Sequence, residues 1–239
     1  MSTSTTKSIF WQGFRDGAPF VLVVIPFSAL FGVLGTEAGL SVFETLTFSV
    51  VVIAGAAQFT ALQLMVENVP TLIVLASALA VNLRMAMYSA HLTPFIGAAP
   101  LWQRALAAYF TVDQSYACSI AKFEREPALS VPQRMAYFFG AVAPVCPMWY
   151  LFTLVGAMIG GRIPDSFALD FALPITFLAM ITPMLRTFAH VVAAVVAIGV
   201  ALICADVPYN LGLIIAGMAG MVAGARTELW AANRKVDVQ

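Results

Sequence analysis

Apolar residues fill the chain in long blocks, and the few charged residues punctuate them. Read between charges, uncharged runs extend over residues 17–36, 45–66, 135–161, 187–205 and 207–225. Each is near or above the roughly 20 residues that a helix needs to cross a hydrocarbon core. Two further apolar stretches, 71–91 and 102–122, carry a charge well inside them, and a shorter run, 171–185, brings the number to eight. The pattern predicts an all-α, polytopic membrane helix bundle of about eight transmembrane segments. Seven is the alternative, because 171–185 is short enough to be re-entrant.

Charge placement sets an orientation. Lys7 and Arg15 precede the first run, and the turn after it holds Glu37 and Glu44 without a cation. By the positive-inside rule the N-terminus is expected in the cytoplasm. Eight spans then gather Lys7, Arg15, Lys122, Arg125, Arg134, Arg186, Arg226, Arg234 and Lys235 on the cytoplasmic side, leaving Arg104 and Arg162 outside, with the C-terminus also cytoplasmic. The first run begins too late and is too long for a cleavable signal peptide. The whole of 1–239 reads as one membrane domain: a first half to about residue 122, a polar loop over 123–134, a second half over 135–226 and a polar tail over 227–239.

Composition narrows the class. The chain is 61% hydrophobic and 10% charged, with mean hydropathy +0.91, outside the range of soluble domains of this length. Zero formal net charge carries no nucleic-acid signature. Cys118, Cys146 and Cys204 fall inside apolar runs without ligand spacing, and His91 and His190 stand alone at span ends. Neither a metal nor another cofactor is expected.

The candidate chemistry lies in the two charged stretches. Arg84 sits in Asn82-Leu83-Arg84 with Tyr88 one turn on, and Asp113 follows Thr111-Val112. An ionised group near the bilayer centre costs about 2.5 to 3.5 kcal/mol on insertion scales, so it is usually kept for a task. A turn near Gly97 and Ala98 would bring both charges to similar depth, where they can pair. The competing roles are structural: Arg84 as a snorkelling residue, and Asp113 as half of an ion pair that only locks two helices. Gln58 supplies an amide after the small residues Gly55-Ala56-Ala57, which otherwise suit close helix packing. Pro26, Pro174 and Pro183 are expected to break helices. The same number of residues separates Gly35 from Gln58 and Gly160 from Pro183, a weak internal symmetry of the kind that points to transporter sites.

Taken in order, Gly55-Ala56-Ala57-Gln58-Phe59, Asn82-Leu83-Arg84 with Tyr88, and Phe110-Thr111-Val112-Asp113 resemble the AzlC family, the large subunit of bacterial branched-chain amino-acid exporters. The chain departs from that family at Met85, where His is typical, and around Asp113-Gln114. The resemblance implies a permease of the bacterial inner (plasma) membrane that works with a small hydrophobic AzlD-type subunit and exports valine, leucine, isoleucine or methionine. It also fits the residues: Arg84 would hold a substrate carboxylate and Asp113 its ammonium group, with Gln58, Asn82, Tyr88 and Thr111 as further binding or coupling groups. Alternating access with export coupled to proton entry is the expected mechanism. A passive channel would share the spans but needs polar positions along a pore. An intramembrane enzyme would need a nucleophile with its base, or metal ligands, and neither is present.

Overall fold

The computed structural model describes residues 5–160, 185, 187–205, 207 and 211–236, with side chains to 231. It divides into two units, 1–167 and 168–239. In the described residues all regular structure is helical.

The first unit is built on two long helical ribbons. One consists of α1 (Thr6–Gly17), a 3-10 turn at Ala18–Phe20 and α2 (Val21–Glu37), making 32 residues in all. The other ribbon, numbered here by chain order, consists of α8 (Val131–Val142) and α9 (Val145–Gly160). They run parallel and touch backbone to backbone. A Cβ added at Gly13 would lie 2.2 Å from the Tyr137 carbonyl oxygen, and one at Gly140 would lie 2.1 Å from that of Phe10. Further along, Gly32 closes on the Thr153 carbonyl at 2.2 Å and Gly156 on that of Ala29 at 2.0 Å. Each of these four glycines thus meets the residue three before the matching glycine of the other ribbon. The contacts are reciprocal, as across a two-fold axis running along the ribbons. The pairing shifts along the seam, from Gly13 with Gly140 to Gly32 with Gly156. The spacing from Gly160 to Pro183 ends outside the described residues, as do Pro174 and Pro183 themselves.

α2 runs unbroken through Pro26, so the interruption in this ribbon is the upstream turn containing Pro19. Proline removes one donor from the ladder. Just beyond it, the Ser28 hydroxyl reaches the carbonyls of Val24 (2.8 Å) and Ile25 (3.1 Å).

Between the ribbons in sequence lie two broken helices and one long one. α3 (Val42–Val51) starts on a reciprocal cap between Ser41 and Glu44 and ends at Val52. Ala54 is extended, and α4 (Gly55–Val66) follows. The Phe31 ring lies 5.6 Å from Phe48 in α3 and 5.5 Å from Phe59 in α4. In one straight helix those two rings would be about 16 Å apart along the axis. α4 therefore turns back, and its end packs with Phe48 and with Val74 at the start of α5. α5 (Thr71–Ile96) has 26 residues and is about 39 Å long, enough to cross. Its far end meets the start of α8, where Arg134 Nη1 donates to the Phe95 carbonyl at 3.1 Å.

α6 (Leu101–Tyr109) begins beside Thr6 and Pro132 and ends deep in the unit, where the Tyr109 hydroxyl donates to the Val50 carbonyl at 2.6 Å. After the break, α7 (Asp113–Arg125) descends alongside α5, with Asp113 against Arg84, Tyr116 against Tyr88, and Phe123 against Phe95. Both broken helices are hairpins entered from opposite ends of the unit, and their tips meet at Tyr109 and Val50. Their limbs have 10, 12, 9 and 13 residues, each about half of a roughly 30 Å core.

This revises the spans expected over 45–66 and 102–122. Among the described residues, three helices are long and apolar enough to cross a membrane: Thr6–Glu37, Thr71–Ile96 and Val131–Gly160. The hairpins match a span in length and hydropathy but fold back halfway, because extended backbone at Val52–Ala54 and Val112 interrupts them. Arg104 moves with this revision to the end of the unit that holds Lys7 and Arg134, opposite Glu37, Glu44 and Glu67.

In the second unit, α10 (Phe188–Ile203) and α11 (Leu211–Val236) form an antiparallel pair. Gly212 faces Cys204, and Gly224 faces Ala193, whose methyl would stand 3.0 Å from an added Cβ. Except for Leu185, the run 171–185 lies outside the described residues.

Candidate functional site

The charge pair forms at the tip of the second hairpin. Asp113 is the first residue of α7, where an acidic group complements the positive end of the helix dipole. Arg84 lies midway along α5, and its Nη2 stands 3.1 Å from Asp113 Oδ2, with the side chains 27% and 43% exposed. Two polar atoms of the pair are shielded and unpartnered, Arg84 Nε and Asp113 Oδ1, as is Asn82 Oδ1 two residues before Arg84 on α5. One donor and one acceptor are thus left over on the ion pair itself, with a further acceptor on Asn82. Buried polar atoms without partners are uncommon and usually signal water, ligand or function.

Tyr88, one turn beyond Arg84, lies within electrostatic reach of both charges. Its ring stacks on Tyr116 at 4.0 Å and 8°, and the Tyr116 hydroxyl pairs with His91 Nδ1 at 2.7 Å. Arg84, Tyr88, His91 and Phe95 therefore form one stripe of α5, matched by Asp113, Tyr116 and Phe123 on α7. Thr111 lies in the same tip but turns inward, donating to the Ala107 carbonyl at 2.7 Å to finish α6. Ser115 ties the break, accepting from Val112 N at 2.9 Å and standing 3.0 Å from the Phe110 carbonyl.

Gln58 belongs to the other tip, and no contact joins it to the charge pair. It is fully buried, its amide nitrogen facing the carbonyls of Val52 and Ser49 (3.4 Å to Ser49). Together with Tyr109 on the Val50 carbonyl, it satisfies the end of α3, whose last carbonyls have no partner within the helix. Gln58 Oε1 is left free. Beside it, Trp149 Nε1 donates to Ser49 Oγ at 2.7 Å, and Ser49 pairs with Thr153 Oγ1 at 3.0 Å. Tyr109 also meets the Tyr150 hydroxyl at 2.8 Å. Polar side chains of α9 thus anchor both tips to the second ribbon.

A third cluster lies at the base of the second hairpin. Lys122, the last residue of the stretch 102–122, is 5% exposed. Its ammonium donates to Gln12 Oε1 at 2.9 Å and Glu126 Oε1 at 2.7 Å, and next to it Tyr137 donates to Asp16. Tyr109, Tyr116, Trp149 and Lys122 were not singled out from sequence. The stripe spacing of Arg84, Tyr88 and His91 was the one available signal. Among the described residues no three His, Cys, Asp or Glu side chains gather to hold a metal.

Fold and site together define a polytopic helical membrane protein with an intramembrane charge pair at the meeting point of two broken hairpins. The family profile described as AzlC protein matches residues 19–163, which takes in α2, both hairpins, α5 and the second ribbon. The chain belongs to the AzlC family. It is 26% identical to the inner membrane protein YgaZ of Escherichia coli K12 over 93% of this chain and 91% of that protein. It is 27% identical to an uncharacterized membrane protein of Archaeoglobus fulgidus over 92% of this chain and 96% of the relative. No solved structure matches.

Proposed function

We propose that this protein is a secondary transporter, not an enzyme, that exports branched-chain or similar amino acids as the large subunit of a two-component exporter with a small AzlD-type membrane partner. The observation that carries the reading is the charge pair with its leftover atoms. A zwitterion presents a carboxylate and an ammonium group a few ångströms apart. Arg84 Nε and the guanidinium suit the first through charge-assisted hydrogen bonds, while Asp113 Oδ1 and Asn82 Oδ1 suit the second. Breaking the bridge of Arg84 to Asp113 frees both charges for substrate. Alternatively, a proton taken by Asp113 removes its charge, which couples export to proton entry.

The hairpins give alternating access a structural basis, since each closes the path from one end. The gathering of Lys7, Arg15, Arg104, Lys122, Arg125 and Arg134 at one end favours that end as cytoplasmic. The N-terminus then lies in the cytoplasm of a cell whose inner membrane holds the protein, and we place the C-terminus there too. Two hairpin tips meeting mid-unit would also suit a channel, and a conductance far above carrier turnover in a planar bilayer would favour that reading. The deciding experiment is efflux of preloaded valine and methionine from cells expressing the chain with and without its partner, beside Arg84→Ala. Efflux that needs both proteins and fails in the variant supports the proposal. Efflux unchanged by Arg84→Ala removes that residue from the mechanism, and the absence of efflux for every zwitterion tried sinks the transport reading.

A further inference from the structure

We propose that the groove between α6 and α8 holds the acyl chain of an anionic phospholipid, with Lys7 and Arg104 on its headgroup. The groove is a cavity of about 430 Å3 whose lining includes Trp102 and Leu106 on α6 and Met135 and Phe139 on α8, with Thr6 and Gln103 as polar members. It lies at the end of the unit that carries the cations, between the rising limb of the second hairpin and the second ribbon.

Size decides what fits. One turn of a helix about 10 Å across, 5.4 Å long, already fills some 420 Å3. A transmembrane helix of a second protein would need a groove several turns long, so this one suits a single narrow apolar chain. Charge decides which lipid. Lys7 and Arg104 adjoin the lining residues Thr6 and Gln103 in sequence, are exposed, and form no ion pair among the described residues. Trp102 is 62% exposed beside them, as expected of an aromatic ring at the headgroup level. An apolar slot with an exposed, unpaired cation next in sequence to each of its two polar lining residues is complementary to a lipid with a negative head.

The site is independent of the transport reading, and so is its test. Protein is placed in phosphatidylcholine nanodiscs containing equal small fractions of either brominated-chain phosphatidylglycerol or brominated-chain phosphatidylcholine. The fluorescence lost in Trp102→Phe identifies the Trp102 component. The proposal expects that component to be quenched at lower mole fraction by the anionic lipid. Each cation should contribute about fivefold to the preference, the factor set by the attraction of one Lys or Arg to an anionic surface. Lys7→Gln with Arg104→Gln, both on the exposed surface, should bring the two lipids level. Equal quenching in the unsubstituted protein overturns the proposal, as does a preference that survives the double substitution. Failure of both lipids to quench Trp102, as when another protein covers the groove, overturns it as well.

Discussion

The fold-back of the two hairpins predicts a side for every loop of the first unit, and single cysteines read it directly. In a background with Cys118, Cys146 and Cys204 replaced by serine, the four variants are Ala38→Cys, Glu67→Cys, Ala98→Cys and Ala128→Cys. The limbs α3 and α4 have 10 and 12 residues, about 15 and 18 Å. Neither alone crosses a roughly 30 Å core, so a chain that enters at Ala38 returns to the same side by Glu67. α5, at about 39 Å, then crosses once. The limbs of the second hairpin, at 9 and 13 residues, again return the chain to its starting side. The expected labelling by an impermeant maleimide therefore pairs positions 38 and 67 on one face and 98 and 128 on the other. Straight crossings over 45–66 and 102–122 would instead pair 38 with 98 and 67 with 128. The second result would refute the hairpins and with them the meeting of Tyr109 with Val50.

Other tests address the seam, the site and the cap. Gly156→Ala puts a methyl about where the Ala29 carbonyl stands, so it should cost about 1 to 3 kcal/mol of stability, as overpacking does. Gly217→Ala, with nothing within 4 Å, should be neutral or stabilising by up to about 1 kcal/mol. Melting in detergent compares the two, and equal shifts would argue against the packed ribbons. Arg84→Ala removes a partner that is 27% exposed and leaves Asp113 without its cation, so its stability cost should be about 1 to 3 kcal/mol, that of an orphaned polar group. Transport, on the proposed function, should fall about tenfold or more, the factor of one charge-assisted hydrogen bond. A large loss of stability with transport kept per folded molecule would make the pair a structural lock. The Glu44 carboxyl, at the surface end of α3, is held below its ordinary range by the Ser41 backbone N–H and then by the Ser41 hydroxyl. With the folded value depressed, its contribution is complete above the ordinary carboxylate range and is lost as pH falls through the lowered value. Glu44→Gln should flatten that acid-side loss in a melting-against-pH series, and an unchanged slope would remove the cap from the account.

Much of this was legible in the chain. Hydropathy marked the apolar blocks in which the described helices lie, and Arg84 and Asp113 stood out because charges in such blocks are costly, as did their pairing. Depth of a block, however, does not reveal its direction. Residues 42–66 have the length and hydropathy of a crossing, and the break at Val52-Ile53-Ala54 contains neither Gly nor Pro, so nothing local announces the turn. Pro26 shows the converse, a breaker that α2 absorbs while the ribbon is interrupted at Pro19 instead. Gln58 drew notice as an amide needing partners, and it has them in the carbonyls of α3, although three other polar anchors of the tips, Tyr109, Ser49 and Trp149, are ordinary residues in apolar surroundings. Their roles come from contacts across 41 to 104 positions of sequence, which no local pattern encodes. Lys122 looked like loop chemistry because it ends a span, yet α1 and α8 close over it.

The two hairpins are held unequally, and that difference bears on how a carrier of this shape would move. The first is tied at its tip by Gln58, Ser49 and Trp149, all buried, and by the Phe27, Phe31 and Phe59 rings on α2 and α4. Releasing it would expose several polar groups with nowhere else to bond, each costing about 1 to 3 kcal/mol. The second is tied to α5 by an ion pair and a tyrosine stack that are partly open to their surroundings, and at its base by Lys122. Its rising limb packs lightly, with Ala107 as the one buried residue of α6, whereas α7 buries Ser115, Ser119, Lys122 and Phe123. On the proposed mechanism the second hairpin is therefore the element that shifts, and the first, clamped to the ribbons, is the surface it shifts against. A substrate or a proton that takes over Asp113 from Arg84 would loosen the tip of the mobile hairpin at the same moment that it occupies the site, which is the coupling an alternating-access carrier requires.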